Sequence, residues 1–138
     1  MTGIWIAEDI ELVVQGVRSG SWVDTAIGGV ARFRPGEAQT AVRIEQALGI
    51  TLRRAPKGSS YDWLDDAGHT YDAVGNFPSQ FFDKQWQRGR FQDQIIRHIG
   101  KADFVPIDVS QFTPAQVNQI EAFVKDNHLA PAVFLVGN

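Results

Sequence analysis

The 138-residue sequence has no cysteine, a single methionine and only three histidines. Without cysteine there is no disulfide and no thiolate metal site, so zinc-finger and thiol chemistry are excluded. Any metal would have to be held by carboxylate, histidine or backbone oxygen. No apolar run approaches the roughly 18 residues that span a bilayer, and the first 30 residues carry acids where a secretory signal would be basic. Stable membrane insertion is therefore not expected. Internal repeats and low-complexity tracts are also lacking. What is present is an ordinary composition, 43% hydrophobic and 21% charged with 13 Gly and 6 Pro. It excludes collagen-like, coiled-coil and disordered classes and predicts one folded domain with a real core.

The formal charge of −3 is unevenly spread. Residues 1–31 set Arg18 alone against Glu8, Asp9, Glu11 and Asp24. Residues 84–101 reverse this, with Lys84, Arg88, Arg90, Arg97 and Lys101 against Asp93. Binding responds to the local field rather than to the net charge, so an acidic pI of about 5.5 does not exclude an anionic ligand.

Residues 4–18 are periodic enough for a helix, and residues 1–36 read as an N-terminal helical or loop segment preceding a core over 37–138. Within the core, Glu37–Leu48 carries Ala38, Ala41, Ile44 and Leu48 at helical spacing, with Gly49 as its C-terminal cap. Strand-like runs follow at Ile50–Arg54, Ser60–Leu64 and His69–Val74. The last two flank Asp65-Asp66-Ala67-Gly68-His69, which suits a type I turn closed by a left-handed glycine. Pairing Asp65 with His69 then sets Leu64 on Thr70, Trp63 on Tyr71 and Asp62 on Asp72. A second helix is expected over 87–99, with Phe91, Ile95, Ile96 and Ile99 inward, then a strand at Phe104–Val109. Thr113, Pro114 and Gln116 form a capping box ahead of Val117, Ile120 and Val124, and Ala132–Val136 supplies a last buried strand. The fold class is thus α/β (α+β), a mixed central sheet flanked by helices in the order α-β-β-β-α-β-α-β.

The register makes a chemical prediction. Two aspartates directly opposed across a strand pair repel one another, and a divalent cation or a shared proton would offset the cost. Glu45, on the helical stripe between Ala41 and Leu48, is expected to point inward and to need a partner, either a metal or one of Arg43, Arg53 and Arg54. Asp108, at a strand end, reads as a loop cap, and Asp126 and His128 read as structural.

Several stretches together carry a resemblance. They are Tyr61-Asp62-Trp63 with Gly68-His69-Thr70-Tyr71-Asp72-Ala73-Val74-Gly75, then Ile95-Ile96-Arg97-His98-Ile99-Gly100-Lys101-Ala102-Asp103, Val105-Pro106-Ile107-Asp108 and Phe112-Thr113-Pro114-Ala115-Gln116. The chain resembles the PD-(D/E)XK nuclease superfamily and, within it, the C-terminal toxin domains of contact-dependent growth inhibition (CdiA) effectors. The resemblance in element order covers about residues 37–109. It implies a metal-dependent nuclease acting on tRNA or DNA, with Glu45, Asp62 and Asp72 holding Mg²⁺, Mn²⁺ or Zn²⁺ and taking part in catalysis. It also implies a cognate immunity protein, a possible cytoplasmic activator protein, and delivery into a target-cell cytoplasm from the C-terminus of a large secreted effector. Where that superfamily has a lysine two residues beyond the second strand acid, this chain has Val74. Lys101, beside His98, is expected to substitute, with Lys57 behind it.

Arg88, Arg90 and Arg97, interleaved with Trp86, would then contact the nucleic-acid backbone, with Lys57 as a further contact. Two other readings stand beside this one. In the first, a metal-independent ribonuclease uses His98 and His69 as acid and base with Arg97 or Lys101 stabilising the phosphorane charge. In the second, the chain is a non-catalytic binding module.

Overall fold

The computed structural model describes residues 36–138. The expectations for residues 4–18 and for the 1–36 segment lie outside the described residues. The chain divides into two compact units, residues 1–42 with 56–58, and residues 43–55 with 59–138. The boundary falls inside helix α1 (Glu37–Leu48). The described part of the first unit is the opening of α1, where Gly36 O accepts from Thr40 N–H at 3.1 Å, and the turn 56–58, where Gly58 has φ +90°.

The second unit carries the rest of the fold, a mixed α+β arrangement. Strands β1 (Leu52–Arg54), β2 (Trp63–Asp65) and β3 (Thr70–Tyr71) form an antiparallel meander. Strands β4 (Val74–Gly75), β5 (Val105–Asp108) and β6 (Val133–Val136) form a parallel sheet with β5 central. Between them lie α2 (Phe82–Gln87), entered through a 3-10 turn at Ser79–Phe81, and α3 (Arg90–Ile99). Helix α4 (Pro114–Asp126) crosses from β5 to β6. Among the described residues no helix is long and apolar enough to cross a membrane.

The hairpin register expected from the turn is the one found: Trp63 pairs with Tyr71 and Leu64 with Thr70. Asp65 explains why the turn is so well determined. Its Oδ1 accepts from the Ala67 and His69 N–H groups at 2.9 Å each, and its Oδ2 accepts from the Tyr71 hydroxyl at 2.7 Å. Gly68, at φ +89°, closes the loop. Burial raises the Asp65 pKa, but the Tyr71 hydroxyl, the two backbone donors and the nearby His69 outweigh it and hold the carboxyl below its ordinary value.

From Thr70 the strand also meets Phe104 on its other edge. Phe104 N–H donates to Thr70 O and Asp72 N–H to Phe104 O, each at 3.0 Å, after which Val74 and Gly75 pair with Ile107 and Asp108. The run from Thr70 to Gly75 therefore links the two sheets. Gly75 is required there, since it sits at φ +94° and a Cβ would lie 2.4 Å from Asp108 O.

The core follows the remaining patterns with three corrections. The Thr113–Gln116 capping box forms as expected, and Ile120 and Val124 are buried. Leu48 and Ile96, both expected inward, are 43% and 47% exposed. Ile95 is fully buried, and a neighbour 100° around the helix cannot share its direction. The helix expected from 87 starts instead at Arg90, because Gly89 takes φ +72° and separates it from α2, which the sequence reading missed.

Gly75→Ala should destabilise the protein by about 2–4 kcal/mol through left-handed strain and a backbone clash, read as a lower thermal midpoint. Tyr71→Phe should cost about 1–2 kcal/mol at neutral pH. Because the folded Asp65 pKa is depressed, its contribution is complete above the unfolded value of 3.8 and is lost as pH falls through the folded one. The Tyr71→Phe deficit should shrink over that acid range in denaturant titrations.

Candidate active site at the strand crossover

The paired register of the hairpin ends at Trp63 and Tyr71, so the expected Asp62–Asp72 pair lies beyond it. Asp62 N–H donates to Tyr71 O at 2.8 Å, which brings Asp62 beside Asp72 at the end of the ladder. The Asp62 Oδ2 accepts from Ala73 N–H at 3.1 Å, so part of the expected repulsion is offset by a backbone donor across the strand pair. Asp72 is buried, and its Oδ2 lies 3.5 Å from Nε2 of His98 in the last turn of α3.

His98 is oriented by its own helix. Its Nδ1 lies 2.7 Å from Gln94 O, and since a carbonyl only accepts, Nδ1 carries the proton. Proton exchange is left to Nε2, the nitrogen facing Asp72. Burial lowers the His98 pKa below its ordinary 6.5, and the charges of Lys101 and Arg97 add to this. The Gln94 hydrogen bond and the Asp62 carboxylate act in the opposite direction without restoring it. The ring is therefore neutral at pH 7, with Nε2 able to take a proton. Lys101 and Arg97 are exposed beside it, two cations at the mouth of a half-buried acid–imidazole pair.

The other expected ligands go elsewhere. Glu45 points inward as predicted, but its Oε2 accepts from Leu52 N–H at 2.8 Å, which ties α1 to the start of β1. Of the three arginines expected as partners for it, Arg43 donates from Nη1 to Oδ2 of Asp108 at 2.8 Å. Asp108 does cap the loop after β5, accepting from Ser110 N–H at 3.0 Å, but it is also fully buried, and its ion pair with Arg43 was not foreseen. A buried acid at the end of an apolar strand was the available signal, since burial of that type requires a cation. Among the described residues no three His, Asp or Glu side chains form a group that could hold a metal ion. The residues present thus do not supply the three-carboxylate set that the resemblance implies.

The nucleic-acid candidates also divide. Arg88, Arg90 and Arg97 are exposed. Trp86 is half-buried, stacked on Phe82 at 5.2 Å and edge-on to Phe123 at 5.7 Å, so it belongs to the aromatic core rather than to a base platform. Lys57 is exposed and lies in the first unit. His69 is held by the hairpin, its Nδ1 3.5 Å from Asp65 Oδ2 and its ring edge-on to Phe104. His128 sits at φ +54° in the turn after α4, with its N–H on Lys125 O, a structural position.

A meander joined to a parallel sheet, with a half-buried acid–imidazole pair beside a basic helix end, defines a small α+β domain. Residues 35–132 match the CdiA C-terminal tRNase domain family, and the chain belongs to that family. It is 41% identical over 98 residues to the tRNA nuclease CdiA of Burkholderia pseudomallei, a match covering 62% of this chain and 7% of that protein. The chain thus corresponds to a small part of that relative's length. The solved CdiA-CT toxin of Burkholderia pseudomallei, in complex with its cognate CdiI immunity protein, superposes with a TM-score of 0.60 at 30% identity. That match covers 75% of this chain and 99% of the toxin.

The geometry predicts the state of the histidine. Nitrogen-15 spectra should show neutral His98 as the Nδ1–H tautomer, titrating below 6.5.

Proposed function

We propose that the chain is a tRNA-cleaving toxin domain whose reacting centre is the Asp72–His98 pair. The observation that carries this is the orientation of His98, with Nδ1 committed to Gln94 O and Nε2 facing Asp72 beside Lys101 and Arg97. It is supported by membership of a family described as tRNases and by a relative named a tRNA nuclease. In this reading Nε2 accepts the proton of a ribose 2′-hydroxyl, whose oxygen attacks the adjacent phosphorus. The bond from phosphorus to the 5′-oxygen breaks, that oxygen leaves protonated by water, and a 2′,3′-cyclic phosphate remains. Lys101 and Arg97 balance the charge that grows on the phosphoryl oxygens.

A second reading retains the divalent metal and the PD-(D/E)XK assignment, with DNA as a further possible substrate. The adjoining Asp62 and Asp72, and the order helix, three-stranded meander, helix, strand, favour it. Val74, which occupies the position of that superfamily's lysine, is buried, leaving Lys101 as the nearby cation.

The biological setting is proposed by analogy with the matched toxin: delivery as the C-terminal part of a larger effector into a target cell, and neutralisation by a cognate immunity protein. A cytoplasmic activator protein remains part of this proposal.

The test is incubation of the purified chain with total tRNA and with plasmid DNA, in Mg²⁺, Mn²⁺, Zn²⁺ or EDTA. Cleavage of tRNA that persists in EDTA and leaves a cyclic phosphate is expected. His98→Gln and Asp72→Asn should each lower kcat by about 10²–10⁴-fold. Because neutral His98 is the active form, kcat/KM should rise with pH through a midpoint below 6.5 and then level off. Cleavage that requires a divalent ion and leaves no cyclic phosphate would move the assignment to the metal reading. No cleavage of either substrate would overturn both and leave a binding module.

A further inference from the structure

A second group of cations stands apart from the Asp72–His98 pair. Gln80, Phe81, Lys84, Gln85, Arg88 and Arg90 line a cleft of about 240 Å³ along α2 and its junction with α3. Its charge is of one sign, with three cations and no acid among the lining residues. The neighbouring acid Asp83 is engaged elsewhere, accepting from Gln116 Nε2 at 3.3 Å. Phe81 is 50% exposed, although Phe77, Phe82, Trp86, Phe91 and Phe112 next to it in sequence or space pack into one aromatic cluster. Clustered like charges and an exposed phenyl ring both cost stability, and nothing in the core requires either. Together they match a ligand that brings negative charge and a flat π-face, which is the chemistry of a nucleotide.

The position of the cleft fits the same ligand. Arg90 and Arg97 are two helical turns apart and so lie on one side of α3, both exposed. Seven residues at the helical rise span about 10 Å, which is about three nucleotides of a stacked strand. One strand laid along α3 would therefore run from the cleft at the helix start to His98 at its last turn.

We propose that this cleft is a strand-docking subsite. It takes one base against Phe81 and the flanking phosphates on Lys84, Arg88 and Arg90, about three nucleotides from the bond cleaved at Asp72–His98. The inference rests on the tRNA-cleaving reading for its distance to the reacting centre, but the binding chemistry can be read independently.

The experiment uses the full chain and two readouts, steady-state cleavage of tRNA and fluorescence anisotropy with a short oligouridylate. Lys84→Gln, Arg88→Gln and Arg90→Gln combined should raise KM and the oligonucleotide Kd about tenfold, with kcat changing by less than about threefold. The slope of log K against log salt should fall by about 2, from three phosphates at about 0.7 each on a single strand. Phe81→Ala should weaken binding and Phe81→Trp should restore it, a pattern that separates stacking from general surface loss. Lys125→Gln, an exposed cation on α4, should leave KM and Kd as they are. Wild-type affinity in the triple variant overturns the proposal, and so does an equal loss in Lys125→Gln, which would reduce the effect to net charge. If wild-type protein cleaves no tRNA but its oligonucleotide binding still depends on Phe81 and the three cations, the catalytic reading falls and the subsite stands.

Discussion

The arrangement of the second unit depends on one backbone event, the change of hydrogen-bond partner at Asp72. Up to Tyr71 the strand is antiparallel to β2. From Thr70 its other edge meets Phe104, the Asp72 N–H also goes to Phe104, and from Val74 the strand pairs with β5. A residue at such a switch cannot direct its side chain according to the alternation of either sheet, because it belongs to neither ladder. That is why an aspartate can be buried there beside the last turn of α3 without interrupting a run of apolar residues. Gly75 is the other half of the same constraint. The chain can reach β5 closely only where no Cβ stands in the way, and Gly75 supplies that position against Asp108.

Local chemistry made part of this legible in the sequence. The turn from Asp65 to His69 specifies its own geometry through one carboxylate that satisfies two N–H groups and a tyrosine hydroxyl, so the register could be counted outward from it. The Thr113–Gln116 box likewise closes within four residues. The misread features are those settled by distant groups. Ile95 and Ile96 have the same hydropathy, and only the aromatic cluster around Phe91 decides which of them is buried. Gly89 looks like an interior glycine until α2 packs Phe82 and Trp86 into that cluster and the helix has to turn. Trp86 was read as a ligand-facing ring because its neighbours are basic, yet the same two helical turns place basic residues outward and rings inward.

The acids show a similar division between what spacing reveals and what it leaves open. The helical stripe singles out Glu45 and the hairpin register singles out Asp62, and each accepts from a backbone N–H, of Leu52 and of Ala73. Asp65 and Asp108 accept backbone donors as well. A backbone donor is invisible in a pattern of side chains, so a sequence reading credits such acids to metal or to arginine. A histidine nitrogen lies 3.5 Å from both Asp65 and Asp72, but the ring beside Asp65, His69, is exposed, whereas the one beside Asp72 is half-buried. His98 is held by Gln94 so that only one nitrogen is left to meet that carboxylate, and this makes the pair a candidate for proton transfer rather than another turn-stabilising acid.

The electrostatics of the unit join these points. The chain is acidic overall, but helices α2 and α3 carry Lys84, Arg88, Arg90 and Arg97 outward, and Lys101 continues the series past the helix end. The same positive field does two separate things. In the proposed function it would, at long range, give an anionic strand a path along the helix, a contribution that salt screens within about 10 Å. At short range, where His98 is half-buried and screening is weaker, Lys101 and Arg97 add to burial in disfavouring a second proton on the ring. In the proposed function, cations that hold a phosphate backbone would thereby also add to burial in keeping the adjacent imidazole neutral. On that reading, binding and proton acceptance share a set of charges, and a substitution at Arg97 or Lys101 would move both.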